Sequence, residues 1–301
     1  MIRIPRHRSR ALILLAATGL LLASCSATDT TGTGTGSDRA APDPGTGHLH
    51  GLGVDPADGT VYAAGHHGVF RLEGSTAARV ADRCQDTMGF TVSGPSTFLA
   101  SGHPSPAESG TRSAHLGLIR STDAGRTWQT VSAEGEADFH ALEEAGDALY
   151  GFDSLSERVW ASTDRGRTWN RRAKVAALNL ASHPVSAATV WAATGTGLAR
   201  SDDGARTFRP VSPAPGLAAV EEPEPGRLLA LTADGRLVAS GDGRTWTEQG
   251  RLPADGEGRV LTAVTTQRLL AADSTDAVYE SVDGGRTWKL LHRPAAASDH
   301  P

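Results

Sequence analysis

Histidine is the residue type in this 301-residue chain whose placement could do chemistry. Of its eleven histidines, seven fall between positions 48 and 140: His48, His50, His66, His67, His103, His115 and His140. Neutral imidazole is the commonest side-chain ligand for zinc, copper, iron and nickel. His48-x-His50 can offer two donors from one bent segment, and His66-His67 lie side by side. Met88 and Cys84, close by in sequence, would add soft sulfur ligands for copper. Asp138 precedes His140 by two residues, and a carboxylate behind a ligating imidazole fixes its tautomer. The chemistry these residues suit is binding of a ligand, with a transition metal, copper or zinc, as the cofactor they could take.

Residues spread over some ninety positions can meet only if the fold gathers them, and a repeat shows how. Ser121-Thr122-Asp123-Ala124-Gly125-Arg126-Thr127-Trp128 returns at 162–169 and at 281–288. Two worn copies lie between. Ser201 to Phe208 has Gly204 one place early and Phe208 for tryptophan, and Ser240 to Trp246 is one residue short. The starts fall at 121, 162, 201, 240 and 281, and such even spacing means stacked or radially arranged units. Reading back from a box gives three short strands with turns between them, as in 178–181, 189–193 and 198–201. Four strands in about 40 residues make a propeller blade. The sequence therefore predicts an all-β, six-bladed β-propeller of four-stranded antiparallel sheets, with seven blades as the alternative. Its blades fall at about 48–86, 87–132, 138–175, 176–215, 216–253 and 259–293. The last ends on Thr287-Trp288-Lys289-Leu290-Leu291, so closure needs no borrowed strand.

The wording S-x-D-x-G-x-T-W resembles the Asp-box, or BNR repeat, of sialidase-type β-propellers. The resemblance implies that Asp123, Asp164, Asp203, Asp242 and Asp283 staple hairpins on the side away from any active site. A closer likeness is carried by His48-x-His50-Gly51-Leu52, Asp86-Thr87-Met88-Gly89-Phe90, Ser101-Gly102-His103-Pro104, Leu116-Gly117-Leu118-Ile119 and Asp138-Phe139-His140. These resemble a group of exported bacterial BNR-repeat proteins labelled glycosyl hydrolases, strongly over roughly 48–170. Glycoside hydrolysis at the channel mouth is thus the enzymatic alternative, and Asp86, Asp138 and Asp153 are the carboxylates that could flank a sugar bond. Classical sialidase activity is not expected. It needs a tyrosine nucleophile and three arginines gripping a carboxylate, whereas Tyr62, Tyr150 and Tyr279 lie inside strands and the box arginines on the opposite face. Near the mouth only Arg83 and Arg112 are expected.

In a propeller the first strand of each blade lines the channel. The start of that strand shares a face with the loop between strands two and three. All seven histidines and Met88 belong to that face in blades 1 to 3. The expected role is ligand binding there by His48, His50, His66, His67, Met88, His103, His115 and His140, with the histidines as metal donors.

The front of the chain reads as an export signal. Arg3, Arg6, Arg8 and Arg10 precede an apolar core from Ala11 to Leu22, too short to span a bilayer. Leu22-Ala23-Ser24-Cys25 looks like a lipobox, with Cys25 the lipidated residue. The expected domains are a signal peptide at 1–24, a lipid-anchored flexible linker at 25–47, the propeller at 48–293 and a disordered tail at 294–301. Removing four arginines takes the formal charge from −5 to −9 (−5 − 4), which argues against nucleic acid. The expected partners are the membrane, through the lipid, and a small molecule, a glycan or a membrane protein. The last would make the chain a non-catalytic scaffold. A monomer on the outer face of the bacterial cytoplasmic membrane is the expected state.

Overall fold

A computed structural model describes residues 43–253 and 256–294. The expected signal peptide, Cys25, most of the 25–47 linker and positions 295–301 lie outside these described residues. What is described belongs to one compact unit.

Six four-stranded antiparallel sheets follow one another at 49–79, 86–132, 139–174, 177–211, 217–251 and 258–292. Each sheet is built from four consecutive strands, so the ring closes without exchange, as the complete last strand predicts. The first strands Leu49–Val54, Asp86–Gly94, Phe139–Ala145, Ala177–His183, Leu217–Glu224 and Gly258–Ala263 are neighbours around the channel. Among the described residues there is no helix.

Burial falls outward across each blade. Second strands such as Val61–Gly65 and Leu269–Asp273 are buried throughout and read as short apolar runs. Fourth strands such as Thr76–Arg79 alternate between half-buried and exposed, as a sheet edge should. The apolar cores lie between blades. Leu49, Leu52 and Ala63 of blade 1 join Leu270, Ala272 and Val278 of blade 6 in the core that seals the ring.

The repeated turn explains its own wording. Ser121 Oγ donates to Asp123 Oδ1 (2.8 Å) and accepts the Gly125 N–H (2.8 Å). Asp123 in turn accepts the Thr127 N–H at 2.9 Å and its hydroxyl at 2.6 Å. The same bonds recur around Asp164, Asp203 and Asp283, and in shortened form around Asp242. Two successive positions in this turn are left-handed: Ala124 (φ 57°) with Gly125 (φ 83°), and Gly204 (φ 69°) with Ala205 (φ 62°). The early glycine of the third copy is therefore a glycine moved from one left-handed position to the other. Trp128, Trp169, Phe208, Trp246 and Trp288 each pack against a different inter-blade core.

Candidate functional site

The register between first and second strands identifies one level of the propeller. Leu49 faces Gly65, Thr87 faces Gly102, Phe139 faces Asp153, Ala177 faces Thr194, Leu217 faces Thr232 and Gly258 faces Asp273. One residue further along each first strand, every blade sends one side chain to a mouth cavity of about 510 Å³. These are His50, Met88, His140, Leu178, Ala218 and Arg259. Met88 thus stands on the ring between His50 and His140.

Against this ring, and sharing His50 with it, lie two groups of possible metal donors. His50, His66 and Asp86 form one, and His103, His115 and Asp138 the other; within each, donor atoms lie within 4.8 Å of one another. The groups are adjacent. Asp86 Oδ2 lies 3.1 Å from His103 Nδ1, and His103 Nε2 lies 3.5 Å from Asp138 Oδ2. His140 Nε2 contacts the same Asp138 oxygen at 3.0 Å, and Ser154 Oγ donates to it at 2.9 Å. Cys84 belongs to neither group.

Local backbone makes these meetings feasible. Gly65 and Gly102 immediately precede His66 and His103 at the ends of their second strands. A Cβ at Gly65 would come within 2.5 Å of the His48 carbonyl, and one at Gly102 (φ 142°) within 2.0 Å of the Asp86 carbonyl. Only a residue without a side chain lets the following histidine settle against the start of the first strand. The insertion after His103 then returns on itself. Leu116 N–H bonds to the Gly102 carbonyl at 2.8 Å, bringing the His115 ring 5.4 Å from that of His103.

The remaining predicted residues sit outside the two groups. His48 contacts the Arg259 guanidinium and lies 3.4 Å from Asp276, both from blade 6, so a cation is a poor neighbour for it. His67 turns toward the approach to the first strand, where a Cβ on Gly47 would come within 2.8 Å of its Nδ1. Asp153 is buried and accepts the Asp138 N–H (2.9 Å) and the Ser156 N–H (3.1 Å), which makes it the brace of its loop. Arg83 is paired with Glu108 and Arg112 with Glu134. Tyr62, Tyr150 and Tyr279 are buried in their blades.

Electrostatics divide the imidazoles. Burial and the neighbouring His66 push His50 down to about 4, so it is neutral at physiological pH and its unprotonated ring nitrogen can act as a ligand. His103 is pushed up to about 10 by hydrogen bonds to Asp138 and Asp86, so it must surrender a proton before it can ligate. Burial would raise the Asp138 carboxyl, but hydrogen bonds from His103, His140 and Ser154 hold it well below the usual range.

Sequence reading missed a second polar feature, deeper in the channel. Glu143 of blade 3 and Glu221 of blade 5 line a cavity of about 340 Å³ with His50 and His140. Burial pushes Glu143 up to about 7, despite the Ser182 N–H and hydroxyl it accepts. Glu221 is raised by burial and by Glu143. The signal was present, since Glu143 and Glu221 are polar residues at channel-facing positions of first strands.

Comparison with known proteins supports the architecture. No protein-family model matches the chain, and no curated protein matches it. Among solved structures, YCF48 bound to D1 peptide aligns with TM-score 0.52 and 16% identity, covering 82% of each chain. A GH74 enzyme from Niastella koreensis aligns with TM-score 0.54 and 18% identity over 81% of this chain and 45% of its own. A nidogen/laminin complex gives TM-score 0.57 at 11% identity, covering 77% of this chain and 93% of that one. The chain spans less than half the length of the GH74 enzyme. At these identities the likeness establishes the β-propeller fold.

Proposed function

We propose that this chain is an exported, lipid-anchored β-propeller that binds a transition-metal ion, zinc or copper, through the histidine–aspartate groups of blades 1 to 3. One observation carries the reading. Nine described residues hold a buried polar side-chain atom without a hydrogen-bond partner, and four of them are His50 Nε2, Asp86 Oδ1, His115 Nδ1 and Asp138 Oδ1. Each such atom costs roughly 1–3 kcal/mol, and more when charged. A cation among them supplies the missing partner. Imidazole and carboxylate donors suit zinc and copper(II). Zinc bonds of about 2.0–2.2 Å need donors roughly 3.3–3.5 Å apart, a modest contraction of the present groups. The export signal and the lipobox cysteine of the sequence support the placement at the membrane.

The test is metal content. Full chain purified without a histidine tag should retain zinc or copper, or take it up after chelation, and His50→Ala with His115→Ala should abolish uptake. Absence of uptake by the wild-type protein would end the reading.

A glycoside hydrolase is the second reading, favoured by the raised Glu143 carboxyl. Hydrogen bonds hold Asp138 ionised, whereas the raised Glu143 beside Glu221 can serve as a proton donor. Hydrolysis of aryl glycosides that Glu143→Gln removes would support it; an inert panel would not. A scaffold for a membrane-protein partner finds support in exposed Leu178 on the apolar side of the mouth.

A further inference from the structure

We infer that the mouth holds two cations side by side rather than one, linked through the Asp86–His103 hydrogen bond. The inference rests on the metal-binding reading and deepens it. Three features lead there. The donor groups share no residue: His50, His66 and Asp86 belong to one, His103, His115 and Asp138 to the other. Each holds an imidazole nitrogen and a carboxylate oxygen that are buried without a partner. A single ion in either group would leave one such nitrogen and one such oxygen unsatisfied in the other.

The third feature is the division of labour within Asp86. Its Oδ1 is the partnerless atom, free to meet a cation shared with His50 and His66. Its Oδ2 lies 3.1 Å from His103 Nδ1, while His103 Nε2 points toward Asp138 at 3.5 Å. A carboxylate that fixes the far nitrogen of a ligating histidine is the usual outer support of a metal site. Asp86 is therefore a ligand for the first ion and the positioning residue for the second. His140, 3.0 Å from Asp138 Oδ2, braces the second site from the blade 3 side. The two ions are coupled, because charge on one changes the carboxylate that orients the other.

The experiment titrates zinc into metal-free full chain and reads stoichiometry calorimetrically and by elemental analysis of the dialysed complex. Wild type should bind two equivalents. His66→Ala, on an exposed turn, and His115→Ala should each bind one. Asp138→Asn should lose only the second ion. Asp86→Asn should lose the first and weaken the second about 10–100-fold. Unchanged circular dichroism confirms that each variant folds, and the wild-type stoichiometry stands independently of them. One equivalent in wild type, lost in both His66→Ala and His115→Ala, would overturn the two-ion inference while sparing metal binding. One equivalent lost in only one of them would do the same and locate the single site. No uptake by wild type would remove both.

Discussion

Blades 1 and 2 differ from blades 3 to 6 at one structural position, and the difference shows how a symmetric scaffold acquires a site. In blades 3 to 6 the position is Asp153, Thr194, Thr232 or Asp273, and each spends its side chain on its own turn. Asp273 accepts the Thr275 N–H at 2.8 Å, and Thr232 Oγ1 accepts the Arg236 N–H at 3.0 Å. In blades 1 and 2 the position is Gly65 or Gly102, followed by histidine. Losing the cap removes a turn brace and makes room for an imidazole against the neighbouring strand. The two blades that gave up this brace are the ones where His66 and His103 join the donor groups.

Gly102→Ala should strike hardest. Its new Cβ would meet the Asp86 carbonyl at 2.0 Å, at φ 142°, and a cost of about 2–4 kcal/mol follows from forced backbone displacement. Denaturant unfolding measures it, and metal uptake should fall with it. A stability indistinguishable from wild type would show that the glycine is incidental.

Asp273→Asn tests the other half of the comparison. Replacing a buried acceptor that serves the Thr275 N–H and hydroxyl and the Tyr279 hydroxyl should cost about 1–3 kcal/mol. Metal uptake should be untouched, because blade 6 contributes no donor to either group. Loss of uptake would mean the site is not confined to the first three blades.

A smaller effect, visible only as a function of pH, separates the channel from the mouth. Glu143 is raised from 4.5 to about 7, so the folded state holds its proton more tightly than the unfolded one. Its favourable contribution is complete below the unfolded value and is lost as pH rises through about 7. Wild type should therefore lose stability relative to Glu143→Gln between pH 5 and pH 8, read from melting temperatures of metal-free protein. Parallel pH profiles would contradict the raised carboxyl. Smallest of all is the stability effect of His66→Ala, within about 0.5 kcal/mol for an exposed turn residue, alongside a clear drop in cation binding.

Much of this was legible in the sequence. Five boxes at even spacing give six blades that each begin within a residue of those observed, since the Ser–Asp–Thr bonds are local and repeat with the words that make them. That the histidines share a mouth also follows, because antiparallel order alone fixes which loops share a face. The partition of those histidines was not legible. His48 is taken by Arg259 and Asp276, more than 200 residues away, and only ring closure reveals that contact. Asp153 reads like Asp86 and Asp138 until its register shows it opposite Phe139, in the capping position. Glu143 and Glu221 escaped notice because no motif marks them; their shared channel is a property of blades 3 and 5 together.

The central claim is that the mouth of blades 1 to 3 is a cation site, and thermal unfolding of metal-free full chain with and without zinc tests it most directly. At zinc near one hundred times the dissociation constant, binding to the folded state alone adds about 2.7 kcal/mol, or roughly 5–10 °C for a domain of this size. The wild-type melting temperature should rise by at least that amount, a second bound ion adding to it, and that of His50→Ala/His115→Ala should not. An unmoved wild type, or an equal rise in the double variant, would contradict the account.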